Sequence, residues 1–550
     1  MLKNIAAYLP AMAKKHPNQR AIVISKGRDS AGRMLHSHIT YQELDRESNR
    51  LANGLLSSGF KEGERVALMV PPSFDLFIAS FALFKAGLVP VFVDPGLGIK
   101  NLKSCLERAG AQHFIGIPKA HIARCLFGWN RGKWRKIITV GKYKIWGQGT
   151  LSSLIESSPS HELTVSLDSG DKTAAILFTS GSTGAPKGAV YSHTNFCAQV
   201  EALKARFEVQ EGEIDLCTFP LFALFAPALG MTAVVPEMNF TKPGDVDPEK
   251  IFKGIETFGV QNMFGSPALL RRVAEAAALE EKSFPSLRRV ISAGAPVPGE
   301  VIETLKKSLG KDCKIFTPYG ATEALPVAIA NMAETLKETG ELTNKGAGVC
   351  VGEVVPGLEL KIIKISDSPI TKWSDELCLK QGEIGEIVVS GKQVTKSYFN
   401  NKEATSLAKI YDNGSRKIYH RMGDLGYFDK KGRLWFCGRK SHRVPIQEKT
   451  VYTVPGESII NTLPKVARSA IVGVGKGDRR RAVLCIESKS IQSPSNQGEL
   501  REEIKTLCKK YPQTENIEEV LFHKKFPVDI RHNSKIFREK LAVWAEGNLQ

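Results

Sequence analysis

The sequence predicts an α/β protein, with a large N-terminal domain of parallel-sheet subdomains plus a β-rich subdomain, and a small, mobile α+β C-terminal domain. Three patterns predict this architecture. Short apolar runs alternate with helix-like stretches as far as about residue 330, which is typical of βαβ units. Between Gly346 and Gly391 short strand-like runs are separated by Gly and Pro. After residue 440 the composition becomes more charged, and a strand pair and a helix follow.

The first clearly marked helix begins at Thr40. Thr40 and Glu43 have the spacing of a capping box, in which each residue satisfies a backbone N–H group of the other. Leu44, Leu51 and Leu55 then lie on one face of the helix. We therefore expect this face to pack against the core.

Two long apolar stretches have to be distinguished from membrane spans. Leu76 to Val93 ends in a Val-Pro-Val-Phe-Val run, which predicts a helix followed by a buried strand. Leu216 to Pro236 has no charged residue and is long enough to cross a bilayer, but Pro220, Pro227 and Gly230 interrupt it. Because proline in a helix interior costs about 3 kcal/mol, we interpret this stretch as strand, turn, short helix and strand.

The second half of the chain contains the remaining predicted elements. Strands are predicted at Val349–Val355, Leu358–Ile365, Gly385–Val389, Ala470–Val474 and Ala482–Glu487, and a helix around Glu499–Lys510. We place a domain boundary near Ser441, which divides the chain into residues 1–440 and 441–550.

Charge and cysteine content limit the classes of function. The chain has 550 residues and a net charge of +19, which favours anionic ligands and surfaces. Two basic clusters occur, at 131–136, with Trp134, Tyr143 and Trp146 interleaved, and at 479–481. The first is either a surface for a membrane or a multienzyme partner, or a solvated face. No recognised nucleic-acid module accompanies either cluster, so no nucleic-acid partner is expected.

The cysteines and the N-terminus predict a location. Ten cysteines are scattered without a Cys-x-x-Cys pair or metal-ligand spacing, which is typical of reduced thiols. The N-terminus shows no signal-peptide cleavage site. We expect a cytoplasmic protein, with attachment to the periphery of the inner membrane left open.

The richest motif is the loop Thr179–Gly188, which reads Thr-Ser-Gly-Ser-Thr-Gly-Ala-Pro-Lys-Gly. It follows the strand-like run 174–178 and combines three glycines, four hydroxyls and Lys187. Glycines let backbone N–H groups approach an anion, and the lysine adds a positive charge. This chemistry suits a polyphosphate, although the order of residues is not that of a P-loop.

Four further segments carry nucleotide-binding chemistry. In Phe316–Glu323, Tyr319 can stack on a base and Glu323 can serve as an oxygen ligand for Mg²⁺. A plain strand-to-helix turn could have the same residues. Tyr419–Asp424 places a carboxylate, suited to ribose hydroxyls, after a glycine. The other two segments are Gly438-Arg439, whose arginine can reach the ribose or α-phosphate, and Gly294-Ala295-Pro296, which is weak on its own.

In this order, over nearly the whole chain, these motifs resemble those of the adenylate-forming enzymes (acyl-CoA synthetases, adenylation domains and luciferases). The resemblance implies an AMP-binding domain at 1–440, a C-terminal AMP-binding enzyme domain at 441–550, and the use of ATP and Mg²⁺. It implies catalytic roles for Lys535, Thr322 and Glu323, with Glu323 as the Mg²⁺ ligand. Nucleotide-binding roles are implied for Thr179, Ser180, Gly181, Ser182, Thr183, Gly184, Lys187, Gly294, Ala295, Pro296, Tyr319, Gly320, Thr322, Asp424 and Arg439.

The chain departs from the family pattern in two places. The usual hinge Gly-Arg-x-Asp has Ser441 in place of the aspartate, and the glycine that follows it in thioester-forming members is absent from His442–Tyr452. The usual Pro-x-x-x-x-Gly-Lys-x-x-Arg motif is two residues longer, with Ser534 before Lys535. The run 531–536, with Phe219–Phe225 upstream, resembles the olefin β-lactone synthetases of bacterial long-chain hydrocarbon biosynthesis.

That subfamily implies a substrate. It implies that a long-chain 2-alkyl-3-hydroxy fatty acid is adenylated and then closes to a β-lactone, without CoA. Phe219, Phe222 and Phe225 resemble the wall of the family's acyl pocket. The alternative is that they are ordinary core residues. His442 and His532 are candidates for accepting the hydroxyl proton or, alternatively, structural histidines.

Three alternatives stay open. The first is a fatty acyl-CoA ligase or fatty acyl-AMP ligase on the same fold. The second is a non-catalytic binding protein that retains the fold, which the presence of Lys187, Glu323, Asp424 and Lys535 disfavours. The third, a lipase-like hydrolase, is disfavoured because the chain has no Gly-x-Ser-x-Gly elbow.

Overall fold

A computed structural model of the chain describes residues 2–30, 34–144, 146–163, 170–179, 186–447, 449–475, 477, 480–488, 494–528 and 536–549. The elements up to residue 192 are, in chain order, α1 (Tyr8–Lys15), β1 (Arg20–Arg28), β2 (Met34–Thr40), α2 (Tyr41–Ser57), β3 (Arg65–Met69), α3 (Phe74–Lys85), β4 (Val89–Phe92), α4 (Ile99–Arg108), β5 (His113–Gly116), α5 (Pro118–Leu126), β6 (Lys136–Thr139), β7 (Gly149–Thr150), α6 (Leu151–Ser157), β8 (Thr173–Thr179) and β9 (Lys187–Ser192).

The middle of the chain, from residue 193 to residue 439, continues this alternation and then becomes rich in strands. Its elements are α7 (His193–Phe207), β10 (Ile214–Leu216), α8 (Pro220–Ala223), α9 (Phe225–Ala228), β11 (Thr232–Val235), α10 (Pro248–Phe258), β12 (Asn262–Phe264), α11 (Pro267–Leu279), β13 (Arg289–Ile291), α12 (Gly299–Lys306), β14 (Lys314–Ala321), β15 (Ala324–Asn331), α13 (Met332–Asn344), β16 (Val349–Val354), β17 (Leu358–Ile363), β18 (Gly385–Gly391), α14 (Lys402–Ala408), β19 (Lys409–Asp412), β20 (Lys417–Phe428) and β21 (Leu434–Arg439).

A short 3₁₀ turn, Lys440–His442, leads into the last part of the chain. That part contains β22 (Val444–Ile446), β23 (Lys449–Val451), α15 (Thr453–Ile460), β24 (Val466–Val474), β25 (Arg481–Ser488), α16 (Pro494–Cys508), β26 (Ile517–Phe522) and α17 (Arg538–Gly547). Strands β24, β25 and β26 form a three-stranded sheet, and β22 and β23 form a hairpin. The division into a larger N-terminal and a smaller C-terminal part is therefore as expected, and the boundary near Ser441 stays a prediction.

Two large sheets organise the N-terminal part. The first has seven strands in the order β7-β6-β5-β3-β4-β8-β9, parallel except for β9, which pairs antiparallel with β8. In the second sheet β1, β11, β10, β12, β13 and β14 are parallel neighbours. Parallel strands need crossover connections, and the helices between them supply these connections.

The strands after β14 form the β-rich part of the chain that the sequence predicts. They are antiparallel, but they extend the second sheet, because β15 pairs with β14 and with β16, and β16 pairs with β21. The result is one fourteen-stranded mixed sheet. The short strand-like runs were predicted correctly. Their pairing partners depend on which sheet edge is open, and a local pattern does not contain that information.

The predicted helix starts and apolar stretches are confirmed. Thr40 Oγ1 accepts a hydrogen bond from the Glu43 backbone N–H at 3.2 Å, and Glu43 Oε2 accepts from the Thr40 N–H at 2.8 Å. Leu44, Leu51 and Leu55 are fully buried. The two long apolar stretches form α3–β4 and β10–α8–α9–β11. Within the described residues no helix is both long and apolar enough to cross a membrane.

A buried ion pair joins the strands that lead to the junction with the C-terminal part. Arg421 on β20 donates from Nη2 to Glu386 on β18 at 2.6 Å, and both side chains are buried. The Lys440 ammonium lies 3.1 Å from the same carboxylate. Carbonyl groups of Ser366 and Ser368 accept further hydrogen bonds from the guanidinium. The pair therefore fixes β20 against β18 and holds the first residue of the junction.

We expect Arg421→Met to lower the free energy of unfolding by about 3 kcal/mol, because it leaves the Glu386 carboxylate buried with a weaker set of partners. Lys417→Met is the matched control, since Lys417 lies on the same strand and pairs with Glu359 at the surface. Its cost should stay below about 1 kcal/mol. Guanidinium unfolding of the three proteins measures both values, and equal losses would contradict the role assigned to the buried pair.

Candidate active site

The predicted phosphate loop connects two paired strands. Thr179 ends β8, Lys187 begins β9, and the two residues are opposite one another in the antiparallel ladder. Between them, the predicted residues Ser180, Gly181, Ser182, Thr183 and Gly184 lie outside the described part of the chain. The predicted strand before the loop is confirmed. The loop therefore starts and ends at one edge of the first sheet.

Packing around β9 fixes the position of Lys187. A Cβ atom at Gly188 would lie 2.9 Å from Ile176 Cγ2 and 3.0 Å from the Phe178 ring, so only glycine fits here without displacement. On the other side, the Phe399 N–H donates to the Gly188 carbonyl at 2.8 Å. The Lys187 Nζ atom lies 5.4 Å from the centre of the Tyr398 ring, which is within the range of a cation–π contact.

The second motif lies on a hairpin rather than at the start of a helix. Tyr319 and Gly320 belong to β14, Thr322 and Glu323 form the turn, and β15 follows directly. The Tyr191 hydroxyl on β9 donates to the Thr322 carbonyl. This contact brings the hairpin turn beside the strand that carries Lys187, which joins the first two motifs.

Glu323 is held by two contacts that the sequence did not predict. Its side chain accepts a hydrogen bond from the Tyr398 hydroxyl at Oε1, with a distance of 2.5 Å. Its backbone carbonyl accepts from the Thr395 N–H at 2.9 Å. Tyr398 therefore touches both Glu323 and Lys187. Tyrosine and threonine in a loop give no local signal of this role.

The surroundings of Glu323 suit Mg²⁺ brought by a nucleotide. No group of three or more His, Cys, Asp or Glu side chains in the described ranges could form a protein cage for a metal ion. Magnesium is commonly held by one or two carboxylates together with substrate phosphates. Glu323 as a single protein carboxylate, near Lys187, fits that arrangement.

Lys409 is a second residue that the sequence did not single out. It lies on β19, is 1% exposed, and donates from Nζ to the Thr395 carbonyl. Burial lowers the pKa of its ammonium to about 7, and the charge of Glu323 acts in the opposite direction. Lys409 therefore binds the carbonyl of Thr395, the residue whose N–H group holds the Glu323 carbonyl.

The third and fourth motifs meet directly. Asp424 on β20 and Arg439 on β21 are paired across the antiparallel ladder. Arg439 Nη1 donates to Asp424 Oδ1 at 2.8 Å, and the Tyr319 hydroxyl donates to Oδ2 at 2.7 Å. Burial raises the pKa of the Asp424 carboxyl, and the Arg439 guanidinium opposes this rise. Asp424 in turn raises the pKa of Arg439.

These contacts leave the chemistry predicted for Asp424 intact. Each carboxylate oxygen has two lone-pair sites, so each can accept one further hydrogen bond beyond those from Arg439 and Tyr319. A vicinal diol such as a ribose could supply both donors. Tyr319 joins this site through its hydroxyl, and stacking of its ring on a base stays a prediction.

The remaining predicted segments lie at the carboxyl ends of parallel strands. The predicted nucleotide-binding segment Gly294-Ala295-Pro296 follows β13, which pairs with β14, and Phe219 follows β10. In open α/β sheets ligands bind beyond these strand ends. The fold therefore brings both segments to the edge of the second sheet where Tyr319 and Glu323 lie.

The predicted acyl-pocket residues divide into two groups. The rings of Phe219 and Phe222 are 4.9 Å apart, and both pack against Phe264 at the end of β12, at 5.9 and 4.9 Å. Phe225 instead lies 6.1 Å from Phe196. Phe264 was not predicted, although its place at the carboxyl end of a parallel strand was a usable signal. Lining of a pocket by these rings stays a prediction.

The predicted catalytic lysine, Lys535, lies outside the described residues, as does His532. The residues on either side of this segment are described, and Val528 pairs with Ile536 in an antiparallel bridge. Three residues after Lys535, Arg538 donates from both terminal nitrogens to Glu457, at 2.5 and 2.8 Å. This pair attaches the motif to helix α15.

His442 lies at the junction with the C-terminal part. Its Nε2 atom is 3.5 Å from Glu539 Oε1, and the side chain is largely buried. Burial, reinforced by the charge of Arg538, lowers the pKa of His442 to about 4. The imidazole is therefore neutral at physiological pH. This state is compatible with a proton acceptor and equally with a structural residue.

The shifted pKa of His442 predicts a pH-dependent stability difference. The folded protein resists protonation of His442 between pH 6.5 and 4, whereas the unfolded chain takes up the proton, so stability is lost as the pH falls through this window. Between pH 7 and 4.5 the free energy of unfolding of the wild type should fall by about 2 to 3 kcal/mol more than that of His442→Gln.

Guanidinium unfolding at both pH values measures this difference. The matched control is His38→Gln, at an exposed position on β2. A His442→Gln variant that loses stability in parallel with the wild type would show that the imidazole is not constrained as described.

The chain is similar to known proteins along its whole length. A family model for AMP-binding enzymes matches residues 9–399. The olefin beta-lactone synthetase of Stenotrophomonas maltophilia (strain K279a) is 45% identical over 553 residues, covering 100% of this chain and 99% of the relative. That of Xanthomonas campestris pv. campestris is 46% identical over 548 residues, covering 99% and 98%.

A solved structure shares the fold. The O-succinylbenzoate coenzyme A synthetase from Bacillus subtilis, in complex with AMP, superposes with a TM-score of 0.74 over 97% of each chain, at 20% identity. The family match covers most of the chain, and the two relatives match it from end to end. The chain belongs to the AMP-binding enzyme family, with olefin beta-lactone synthetases among its full-length relatives.

Proposed function

We propose that this protein uses ATP to adenylate a long-chain 2-alkyl-3-hydroxy fatty acid and then closes the acyl-adenylate to a β-lactone, releasing pyrophosphate and AMP. The observation that carries the proposal is the 45–46% identity, over the full length, to olefin beta-lactone synthetases. The contacts that join Lys187, Glu323, Asp424 and Arg439 into one site support it.

In the first step a carboxylate oxygen of the substrate attacks the α-phosphorus of ATP. The bond between the α-phosphorus and the bridging oxygen breaks, and pyrophosphate leaves. Lys187 and the loop Thr179–Gly184 would hold the β and γ phosphates, and Asp424 with Arg439 would hold the ribose. Magnesium, held by Glu323, would neutralise phosphate charge. Most of the rate acceleration would come from positioning and from electrostatic stabilisation.

In the second step the 3-hydroxyl oxygen of the same substrate attacks the acyl carbon. The bond from that carbon to the AMP oxygen breaks, and the hydroxyl proton leaves to a base. An intramolecular nucleophile can have an effective molarity of roughly 10⁵–10⁸ M, which would offset the strain of a four-membered ring. Neutral His442 is a candidate for the base. Its burial beside Glu539 suits a structural role as well.

The principal alternative is a fatty acyl-CoA ligase or fatty acyl-AMP ligase. The segment that in thioester-forming relatives carries a glycine is here a hairpin, with Val444 paired to Val451 and Pro445 paired to Thr450. A paired hairpin with a proline gives a pantetheine arm less room than a glycine backbone would. This observation supports the lactone reaction over thioester formation.

The first prediction for this function concerns Lys535, which we assign to bridging the substrate carboxylate and the α-phosphate. Lys535→Ala should lower isotope exchange between pyrophosphate and ATP by about 100-fold or more, since one electrostatic contact to the transition state is removed. ATP binding should change little, because the cradle lies in the other part of the chain. Lys524→Ala, at an exposed position in the same part, is the control. Exchange at the wild-type rate in Lys535→Ala would remove this residue from the first step.

The second prediction identifies the product. With ATP and a 2-alkyl-3-hydroxy acid the protein should form AMP and a neutral lactone, and added CoA should not alter the yield. The same acid without its 3-hydroxyl group should be adenylated and then stall, because the nucleophile is missing. Mass spectrometry of both reactions, each with and without CoA, distinguishes the functions. Efficient formation of the acyl-CoA from the plain acid would favour the ligase.

A further inference from the structure

One stretch of the chain contains no acidic residue. Between Glu107 and Glu156 there is no Asp or Glu, whereas nine lysines and arginines occur there. This stretch therefore carries nearly half of the net charge of +19. It forms α5, β5, β6 and β7, at the edge of the first sheet opposite to β8 and β9. Apart from Arg108, which donates to the Pro186 carbonyl at 3.5 Å, this charge lies at the edge of the sheet opposite to the candidate active site.

The structure separates the basic residues of this stretch into two sets. Four of the nine have hydrogen-bond partners in the protein. Arg108, Arg124, Arg135 and Lys136 donate to the Pro186 carbonyl at 3.5 Å, His121 at 3.1 Å, Glu64 at 2.9 Å and the Ser58 carbonyl, respectively. The other set is exposed and forms no ion pair with any residue that the structure describes. Its members are Lys119, Arg131, Lys133, Lys142 and Lys144.

Three aromatic residues, Trp134, Tyr143 and Trp146, accompany the basic cluster in the sequence. Two of them pack against the protein instead of facing solvent. Trp134 packs edge-on against Phe114 at 5.2 Å, and Trp146 stacks on His121 at 5.4 Å. Tyr143 is the exception, with 72% of its surface exposed. The local sequence does not show which of these rings is exposed. Trp134 packs on a residue of β5 and Trp146 on a residue of α5, and both partners are at least 20 residues away in the chain.

Helix α5 supplies the apolar surface instead. Ile122 and Leu126 are exposed, lie one helical turn apart on the same face, and are followed by exposed Phe127. Leu126 has 73% of its surface in contact with solvent. Since Trp146 stacks on His121 of the same helix, the loop that carries Tyr143 packs beside α5. We call the exposed surface of residues 119–146 the basic-apolar face.

We propose that the basic-apolar face docks the protein on the surface of an anionic phospholipid bilayer. Aliphatic and aromatic side chains at its centre would enter the headgroup boundary, and the five exposed cations would contact lipid phosphates. The proposal extends the proposed function, because a long-chain substrate and its lactone both partition into membranes.

The composition of the face favours a membrane over other partners. A nucleic-acid surface uses exposed rings for stacking, and this face has two, Phe127 and Tyr143, but its most exposed apolar side chain is aliphatic Leu126, with Ile122 beside it. A protein partner would commonly meet charges of both signs at the rim, and this face has one sign only. The active-site edge at β8 and β9 lies across the sheet, so docking would leave it accessible.

Vesicle flotation tests the proposal. The full-length protein should bind vesicles of phosphatidylglycerol and phosphatidylcholine but bind pure phosphatidylcholine weakly, and 0.5 M salt should reduce the binding. Changing Arg131, Lys133, Lys142 and Lys144 to Gln should weaken binding to the anionic vesicles by about 10-fold or more. The control changes Lys307, Lys311, Lys345 and Lys364 to Gln, which removes the same charge from exposed positions elsewhere.

A second pair of variants tests the apolar part. Leu126→Ser with Phe127→Ser should leave a weaker and more salt-sensitive association, whereas Leu279→Ser, at an exposed position on α11, should bind like the wild type. Equal loss in the two charge variants would mean that net charge, and not this face, causes binding. Absence of wild-type binding to anionic vesicles would overturn the proposal in favour of a protein partner.

Pyrophosphate exchange by each variant in detergent shows whether it is folded. It also separates the two proposals, because vesicle binding does not require turnover. A protein that binds vesicles through this face but forms no lactone would refute the proposed function and leave the docking surface in place.

Discussion

The carboxylate of Glu386 is the point on which the geometry of the site depends. It is buried on β18, pairs with Arg421 on β20, and contacts Lys440 at the start of the junction. Arg421 lies three residues before Asp424, and Lys440 directly follows Arg439. A single desolvated ion pair therefore holds the strand that carries Asp424 and the start of the segment leading to the C-terminal part. An ion pair buried on both sides leaves little freedom for either strand to shift, because separating it would expose an uncompensated charge to the interior.

From this fixed strand the site extends by side-chain contacts between segments that are far apart in the chain. Asp424 holds Tyr319, and the hairpin that carries Tyr319 also carries Glu323. Glu323 in turn accepts from Tyr398, whose ring faces Lys187. The residues that we propose bind phosphate, metal and ribose are thus linked through one continuous set of contacts. In a reaction driven by positioning, such linkage restricts the relative movement of the groups that hold one nucleotide.

Lys187, Tyr319, Glu323, Asp424 and Arg439 all belong to this set of contacts, and two features that we propose distinguish the chain lie outside it. One is the hairpin β22–β23, in the place where thioester-forming relatives have a glycine. The other is the basic-apolar face, at the far edge of the first sheet. We propose that the first acts on the choice of nucleophile and the second on the supply of a water-insoluble substrate, so the two features can differ among relatives without altering the adenylation site.

The sequence by itself determined the class of fold, the strand and helix pattern, the order of the nucleotide motifs and the family. Those properties follow from local periodicity, from capping and glycine patterns, and from residue types whose chemistry is evident in isolation. Only the tertiary structure decided that the late strands extend the second sheet and that Tyr398 and Lys409 support Glu323. It also decided that Phe264 packs against Phe219 and Phe222. Finally, it showed that α5, and not Trp134 or Trp146, supplies the exposed apolar surface. Each of these depends on which distant segment fills a given space, and packing of that kind leaves no mark on the local sequence.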